Sequence, residues 1–332
     1  MTSKTFAIYL NANARRVSPE VIARIEELVH PDDIYYSTSL ADADRHAARI
    51  IERGYSTVFT GGGDGTVCQF INALYRAAGS REKLPVLGVL AMGTGNALAR
   101  LVSSGNAIQD LKSYLANPSS DIWPIPLVEC EGHLFPFGGA GLDGEILADY
   151  EDLKARIGDG PLKPLLRNVV GYFAAFFTRT GPRKVANLVR GRHLTIRVTT
   201  LEEPAYEAGH EGERARGFSP REVLFEGPAT AVLAGTIPLI GYGARVFPLA
   251  GREPEHLVLR IVTIGLARAV VSIPELWHGT YRGEGIRDYY VRAVEVKFSE
   301  PMPFQAGGDL IGRRDTLTFR FVPDAVRLLR FL

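Results

Sequence analysis

The feature that most restricts the fold of this chain is the alternation of buried strand patterns and helical patterns over roughly its first 115 residues. Short apolar runs predict strands at residues 5–10, 33–37, 57–60 and 86–90. Helical patterns follow at residues 19–29, 41–53, 66–78 and 97–101, with Ser18 as the first N-cap and Gly54 as a stop signal. The sequence therefore predicts an α/β domain over residues 1–120, with a doubly wound, mainly parallel sheet that binds ligands at the carboxyl ends of its strands.

The second half of the chain has a different pattern, which begins after Pro118 and the two serines that follow it. Spaced strand-like runs with turn residues between them predict an antiparallel, β-rich sandwich or barrel. These runs cover residues 125–130, 134–138, 194–200, 222–225, 230–234, 257–264, 291–298 and 316–321. Helical insertions are predicted at residues 164–178 and 264–277, and an exposed loop or hairpin tip at 202–220. We expect a β-rich domain over residues 121–315 and a C-terminal segment, residues 316–332, that returns to pack on the first domain.

Composition and charge limit the class of protein. Of the 332 residues, 46% are apolar and 23% are charged, which is the balance of a folded globular protein. Lysine and arginine number 38 against 37 acidic residues, so we expect no nucleic-acid partner. Two cysteines, Cys68 and Cys130, cannot build a disulfide framework. Because no run has the character of a signal peptide or the length of a bilayer span, we expect a cytoplasmic protein.

The strongest chemical signal is the turn Gly61-Gly62-Gly63-Asp64-Gly65-Thr66, between a predicted strand and a predicted helix. Consecutive glycines let the backbone approach a ligand, and the amides of the turn and of the helix N-terminus can then face phosphate oxygens. The charge of Asp64 suits such a site where Mg²⁺ lies between the carboxylate and the phosphates. A tight turn whose aspartate only caps the helix is an equally open interpretation. The turn matches neither a Walker loop nor a GxGxxG fingerprint.

A second turn, Gly93-Thr94-Gly95-Asn96, follows the next predicted strand. Because neighbouring parallel strands end at the same sheet edge, we expect both turns to reach a single nucleotide. Asn96 also suits the N-cap of the helix that follows it. Asn11, just after the first strand, is a candidate for an amide contact from a third loop, although asparagine in that position is more often a turn residue.

These motifs resemble those of the diacylglycerol kinase, sphingosine kinase and ceramide kinase family of lipid kinases. The resemblance rests on GGGDGT, MGTGNALAR and LNANARR, and in the second half on FPFGGAGLDGEILADYEDL, GYGARVFPLA and GGDLIGRRDTLTFRFVP. It implies an ATP-binding α/β domain, a β-rich lipid-binding domain, and ATP-dependent, Mg²⁺-assisted phosphorylation of a diacylglycerol- or sphingoid-type lipid. A kinase of this kind is expected to contact the membrane surface transiently.

The resemblance also assigns roles to single residues. Asp64 matches the catalytic aspartate of the family, and we expect it to act in catalysis and to bind Mg²⁺. The GTGN turn matches the family's contact with nucleotide phosphates. Asp309 stands where some relatives have a glutamate proposed as base, and it is our second candidate for receiving the hydroxyl proton. Asp143 and Glu145 are candidates for binding the acceptor hydroxyl, with an ordinary turn at Asp143-Gly144 equally open.

The chain departs from the family pattern where relatives often carry carboxylates or an aspartate–glycine pair. The departures are at Gln69, Ala97, Glu255-His256 and Gly307. They keep open a non-catalytic nucleotide- or lipid-binding module, and the shared GGDGT turn keeps open an NAD kinase-like enzyme with a soluble substrate. Strands at an edge of the second domain are a candidate surface for a homodimer.

Overall fold

The computed structural model describes residues 6–14, 16–118, 121–157, 169–191 and 193–331. The chain divides into two compact units. Unit 1 comprises Met1–Leu127, Leu239–Gly243 and Val322–Leu332, and unit 2 comprises Val128–Pro238 and Ala244–Phe321. Unit 1 is therefore assembled from three segments that are distant in sequence, whereas the two segments of unit 2 are separated only by residues 239–243.

Unit 1 contains a parallel sheet with largely buried strands. The strands are β1 (Phe6–Asn11), β2 (Ile34–Ser37), β3 (Thr57–Gly62) and β4 (Val86–Ala91). β2 and β3 flank β1, and β4 lies beyond β3, all in parallel register. Near-continuous apolar sequence suits such strands because both faces are covered. The predicted α/β fold is confirmed. The chain adds β2 on one side of β1 and then β3 and β4 on the other side, so the switch point of the sheet lies between β1 and β3.

Helices follow the strands of unit 1. They are α1 (Pro19–Glu26), α2 (Leu40–Arg53), α3 (Asp64–Ala78), α4 (Ala97–Leu101) and α5 (Ala107–Ala116). As predicted, the Ser18 hydroxyl caps α1, and Gly54 ends α2 in the left-handed region at φ 67°. α3 begins at Asp64 rather than at residue 66, because Gly63 occupies the N-cap position. Short 3₁₀ turns lie at Pro31–Asp33, Arg81–Lys83 and Gly241–Gly243.

The core of unit 1 aligns the ends of these strands. Ile8, Leu10, Phe59 and Leu90 are fully buried in it. The ring of Phe59 covers Gly88 on the neighbouring strand, where an added Cβ would lie 2.3 Å from the ring. This close fit holds β3 and β4 side by side, and their carboxyl ends carry the two glycine turns.

Unit 2 is a β-rich, antiparallel region, as predicted. Its strands are β5 (Ile122–Cys130), β6 (His133–Phe135), β7 (Phe137–Gly141), β8 (Thr195–Thr200), β9 (Ala205–Ala208), β10 (Arg214–Phe218), β11 (Val223–Pro228), β12 (Ala231–Gly235), β13 (Leu257–Val262), β14 (Ile286–Val291), β15 (Ala293–Ala306) and β16 (Asp309–Leu329). Only residues 128–130 of β5 belong to unit 2, since the earlier part of this strand belongs to unit 1. The pairs run in the order β10, β9, β14, β13, β12, β7, β15. β15 also pairs with β16 and β8, and β8 with β11. The end of β16 belongs to unit 1, where Leu328 pairs in parallel with Leu87 of β4.

Helices interrupt the strands of unit 2. They are α6 (Leu142–Ile157), α7 (Val169–Ala175), α8 (Gly181–Val189), α9 (Leu266–Val271) and α10 (Ile273–His278), and the π-helical turn Phe176–Thr180 joins α7 to α8. Residues 164–168 of the first predicted insertion lie outside the described residues. Residues 202–220 contain the hairpin β9–β10. The interpretation of Asp143-Gly144 as a turn between strands is wrong, because both residues lie in the first turn of α6.

Candidate functional site

Three segments of unit 1 meet at the switch point of the sheet. Asn11 ends β1, and its side-chain Nδ2 donates a hydrogen bond to Thr66 Oγ1 at 2.8 Å. Thr66 lies in the first turn of α3, and a Cβ added to Gly62 would lie 2.5 Å from its side chain. The loop after β1 is therefore joined to the GGGDGT turn by side chains that the sequence had singled out.

The two glycine turns contact each other through backbone atoms. A Cβ on Gly93 would lie 2.2 Å from the Cα of Gly63 and 2.8 Å from the carbonyl oxygen of Gly62. A Cβ on Gly61 would lie 2.5 Å from Met92 Sδ. No residue with a side chain fits at Gly93 unless the backbone moves, so glycine is what allows the turns to meet.

Asp64 connects the two turns. Its Oδ1 accepts hydrogen bonds from the N–H of Ala97 at 2.7 Å and from the N–H of Leu98 at 3.4 Å. Its Oδ2 lies 2.5 Å from the point that a Cβ on Gly95 would occupy, so Gly95 leaves room for the carboxylate. The sequence left open whether Asp64 caps its own helix; through Oδ1 it caps the N-terminus of α4.

Asn96 does not cap α4 with its side chain, contrary to one of the two roles considered for it. It adopts the left-handed conformation at φ 55° and turns back onto Gly93. The Gly93 N–H donates to Asn96 Oδ1, and Asn96 Nδ2 donates to the Gly93 carbonyl oxygen, both at 2.9 Å. The paired hydrogen bonds hold the GTGN turn in one shape. Thr94, between these residues, is partly exposed.

The amides best placed to bind an anion belong to α3. The N–H groups of Gly65 and Thr66 lie in its first turn, where no intrahelical acceptor exists. The helix runs for 15 residues, so its dipole favours negative charge at this end. The N–H groups of Gly93, Ala97 and Leu98, by contrast, already bond side-chain oxygens of Asn96 and Asp64.

A further segment at this site is Gly241–Gly243, to which the sequence analysis assigned no role. The Tyr242 N–H donates to the Gly95 carbonyl oxygen at 3.2 Å, and the Gly241 Cα would lie 3.0 Å from a Cβ on Gly95. Tyr242 itself has φ 63°. The signal for it was present in the GYGARVFPLA stretch, which carries two glycines around one aromatic residue.

In unit 2 a hydrogen-bond network surrounds Asp143. Gln305 of β15 is buried, and its Nε2 donates to Asp143 Oδ2 at 2.7 Å. Its Oε1 accepts the Gly308 N–H at 2.9 Å. Burial raises the pKa of the Asp143 carboxyl, and the hydrogen bond from Gln305 partly opposes this rise. Gln305, which the sequence analysis missed, therefore connects α6 to the turn after β15.

Asp309 follows that turn. Gly307 and Gly308, at φ 60° and 93°, form a two-residue hairpin turn, and Asp309 pairs across it with Ala306. Asp309 thus directly follows Gly308, whose N–H bonds Gln305, and both Asp309 and Asp143 belong to unit 2, while Asp64 belongs to unit 1. Gly307 fits the positive φ of this turn.

Glu145, the other acceptor candidate, forms an ion pair. Its Oε2 lies 2.5 Å from Lys184 Nζ on α8. One turn further along α6, Asp149 accepts hydrogen bonds from both Nη atoms of Arg183 and from the hydroxyl of Thr180. Glu145 therefore contributes to holding α8 against α6.

The other positions that depart from the family pattern have structural partners. Glu255 pairs with Arg292 at 3.1 Å, and His256 Nδ1 lies 2.7 Å from the Pro254 carbonyl oxygen. Among the described residues, no group of three or more His, Cys, Asp or Glu side chains is placed to hold a metal ion. Asp64 is compatible with Mg²⁺ held by one carboxylate together with nucleotide phosphates and water, the usual arrangement for this ion.

Comparison with known proteins shows which family this site resembles. Residues 7–122, which contain both glycine turns, match the sequence profile of the diacylglycerol kinase catalytic domain. The predicted resemblance to the diacylglycerol kinase-like family of lipid kinases is therefore confirmed.

Particular relatives agree with this assignment. A diacylglycerol kinase of Staphylococcus saprophyticus is 31% identical over 86 residues, 26% of this chain and 27% of the relative. A protein named probable lipid kinase YegS-like, from Cronobacter sakazakii, is 31% identical over 101 residues, 29% of this chain and 33% of the relative. The alignments thus span about a quarter to a third of these relatives. A diacylglycerol kinase structure from Bacillus anthracis has the same fold, with a TM-score of 0.64 at 14% identity over 99% of this chain and 98% of that one.

Proposed function

We propose that this protein is a lipid kinase that transfers the γ-phosphoryl group of ATP to a hydroxyl of a diacylglycerol- or sphingoid-type lipid. One observation carries the proposal: two glycine turns meet through backbone atoms at the switch point, with the Asp64 carboxylate between them. The family match over residues 7–122 supports a kinase, and the names of the relatives support a lipid acceptor.

In this proposal unit 1 binds the nucleotide. The N–H groups of Gly65 and Thr66 bind phosphate oxygens, assisted by the GTGN turn, and Asn11 orients Thr66. Two amides of α4 hold the Asp64 carboxylate in place through Oδ1, and this carboxylate binds Mg²⁺. When bound, Mg²⁺ neutralises phosphate charge during transfer.

Unit 2 would bind the acceptor. Asp143, with its raised pKa, accepts a hydrogen bond from the lipid hydroxyl, and Glu145 assists from the same helix turn. Asp64 is the first candidate for receiving the hydroxyl proton, and Asp309 the second. Alignment and charge neutralisation are the main demands of phosphoryl transfer, so few residues need to act chemically.

Radiolabelled ATP with Mg²⁺ tests the proposal when it is offered with a panel of lipid alcohols and, separately, with NAD. We expect label in a diacylglycerol, sphingoid or related lipid, and none when Asp64→Asn replaces the wild type. Label in NAD alone would instead establish the soluble-substrate kinase. Binding of ATP without transfer to any acceptor would establish a non-catalytic nucleotide-binding module.

We also propose that the enzyme meets its lipid at a membrane surface through the helices around α8. No helix among the described residues is long and apolar enough to cross a membrane. Instead, apolar side chains stand exposed on α7, the π-helical turn, α8 and α9: Val170, Phe177, Val185, Val189 and Val271. An exposed apolar surface with nearby cations suits the interface of a bilayer.

Replacing two of these side chains tests the membrane contact. Phe177→Ser with Val189→Ser should weaken sedimentation with phosphatidylcholine–phosphatidylglycerol vesicles by about tenfold or more, because two apolar side chains no longer enter the bilayer. Leu40→Ser is the matched control, since Leu40 is 63% exposed on α2 of unit 1. Equal vesicle binding by all three proteins would contradict the assignment of this surface.

A further inference from the structure

A cavity of about 270 Å³ lies wholly within unit 2, apart from every residue assigned above to the nucleotide or the acceptor. Its floor is the sheet at β13 and β14, and its walls are the tip of the β9–β10 hairpin, the turn at Pro248 and Leu249, and the loop Tyr281 to Gly283. The volume is slightly below the range of pockets for drug-sized ligands, so it suits a ligand of head-group size.

The floor of the cavity is a buried ion pair. Arg260 and Asp288 are directly opposite each other on β13 and β14, and Arg260 is only 7% exposed. Arg260 Nε and Nη2 donate to the two oxygens of Asp288, at 2.7 and 2.6 Å. Its remaining nitrogen, Nη1, makes no hydrogen bond within the part of the chain that the structure describes. Because Nη1 is not fully enclosed, it is a charged donor that a ligand in the cavity can use.

The walls add positive charge. Arg282 lines the cavity and contacts only the backbone carbonyl oxygens of Gly279 and Tyr281 among the described residues, at 3.3 and 3.1 Å. His210 lines it as well. Arg287 and Glu207 border the cavity, but strand alternation puts both side chains on the opposite face of the sheet, where Arg287 lies over the Phe225 ring. The guanidinium groups of Arg260 and Arg282 therefore outnumber the Asp288 carboxylate, and guanidinium groups are the side chains best suited to phosphate.

We propose that this cavity is an accessory binding site for a phosphate monoester of about the size of glycerol phosphate. Arg260 Nη1 donates from below and Arg282 from the rim, with His210 beside the bound group. The binding itself does not depend on the proposed kinase activity. The proposed kinase activity would give this site a role. The lipid product of such a kinase carries a phosphate monoester, and the accessory site would bind the head group of that product.

Histidine ring signals in NMR spectra of the full chain test this site. His210→Gln identifies the signal of His210 among the seven histidines. In the wild type, sn-glycerol 3-phosphate should shift that signal in a saturable way, and glycerol should not. Arg282→Gln should weaken the binding about tenfold or more, because one charged hydrogen bond is lost. Arg320→Gln, the matched control at an exposed arginine outside the cavity, should bind as the wild type does.

The double variant Arg260→Gln with Asp288→Asn removes both floor charges together and should abolish the shift, with thermal unfolding to check its fold. Phosphatidylcholine vesicles with and without phosphatidate distinguish the sources of the ligand. A shift with glycerol 3-phosphate supports a soluble phosphate monoester, and a shift only with phosphatidate supports a lipid head group. Absence of both shifts, or equal binding by wild type and Arg282→Gln, overturns the site. Nucleotide binding at the glycine turns is measured in a separate titration. A failure of the proposed kinase function can therefore be distinguished from a failure of the accessory site.

Discussion

The glycine turns of unit 1 and the Asp143 network of unit 2 are built in opposite ways. In unit 1, backbone atoms of Gly63 and Gly93 make the close contact, and one carboxylate spans the turns. In unit 2, side chains make the contacts, since Gln305 connects Asp143 to the hairpin turn. Backbone contacts at this distance admit no extra atom, whereas a side-chain network loses one hydrogen bond at a time. A substitution at the contact between the glycine turns should therefore abolish the function of the proposed nucleotide site. A substitution in the Asp143 network should only weaken the function of the proposed acceptor site.

The largest effect is expected at Asp64. Asp64→Asn should lower the rate of phosphoryl transfer by about 10²- to 10³-fold or more, because a neutral amide replaces the group proposed to bind Mg²⁺. The asparagine oxygen can still accept from the Ala97 N–H, so the fold should persist. Initial rates with radiolabelled ATP measure the loss, and Asp309→Asn should lose less.

Asp110→Asn is the control for this substitution. Asp110 is also a hydrogen-bonded carboxylate of unit 1, accepting from Ser104 Oγ at 2.7 Å, but it lies on α5. Its replacement should leave the rate within a few-fold of the wild type. Comparable losses of rate for Asp64→Asn and Asp110→Asn would mean that removing either carboxylate from unit 1 impairs activity, and would assign no special role to Asp64.

The next effect tests the backbone contact. Gly93→Ala should destabilise unit 1 by about 1–3 kcal/mol, as overpacking does, and should abolish nucleotide binding. Gly105→Ala offers a control, because an added Cβ there meets no atom within 4 Å. Denaturant unfolding and titration with a fluorescent ATP analogue measure both quantities. Tight nucleotide binding by Gly93→Ala would show that the turns need not meet.

A smaller effect, with a distinctive pH dependence, is expected at Asp143. Its raised pKa means that the native state holds the proton more tightly than the unfolded state. The free energy of unfolding should therefore fall as pH rises from the ordinary carboxyl range through the raised pKa. Asp143→Asn should remove this slope and raise KM for the lipid several-fold, while its amide oxygen still accepts from Gln305.

Unfolding titrations across acidic to neutral pH test this prediction, with Asp315→Asn as an exposed control carboxylate. If Asp143→Asn keeps the slope of the wild type, burial does not perturb this carboxyl. Complete loss of activity in Asp143→Asn would show that the proposed acceptor site tolerates substitution no better than the proposed nucleotide site.

The smallest effect is expected at the third loop. Asn11→Ala removes the hydrogen bond to Thr66 and should cost about 0.5–1.5 kcal/mol of stability, with a modest rise in the Kd for nucleotide. Asn13→Ala loses a comparable bond, to the Thr38 carbonyl oxygen, and should leave nucleotide binding unchanged. Equal Kd values for the two variants would remove Asn11 from the site.

The parts of this protein that sequence could predict are those set by local chemistry. Strand and helix alternation predicted the parallel sheet, and closely spaced glycines predicted both turns, because each depends on neighbouring residues. Asn96 occupies the N-cap position of α4, as predicted, but its side chain does not cap the helix, because the left-handed backbone turns it toward Gly93.

Hydrogen-bond partners that are far apart in sequence could not be predicted, because no local pattern marks them. The Asp64 carboxylate bonds an N–H group 33 residues away, and every residue type except proline offers such a group. Gln305 lies 162 residues from Asp143, and a lone glutamine in a strand does not mark its partner. Gly307, where the family pattern has a carboxylate, adopts the positive φ of a hairpin turn.

The assembly of unit 1 from three separate segments of the chain has a consequence for biosynthesis. Leu328 and Leu329 pair with β4, so β4 has no neighbour on that side until the ribosome has translated all of unit 2. A nascent chain carries this unprotected β edge for most of its synthesis, which exposes it to pairing with other chains. Newly made molecules should therefore depend on chaperones until the last strand closes the sheet.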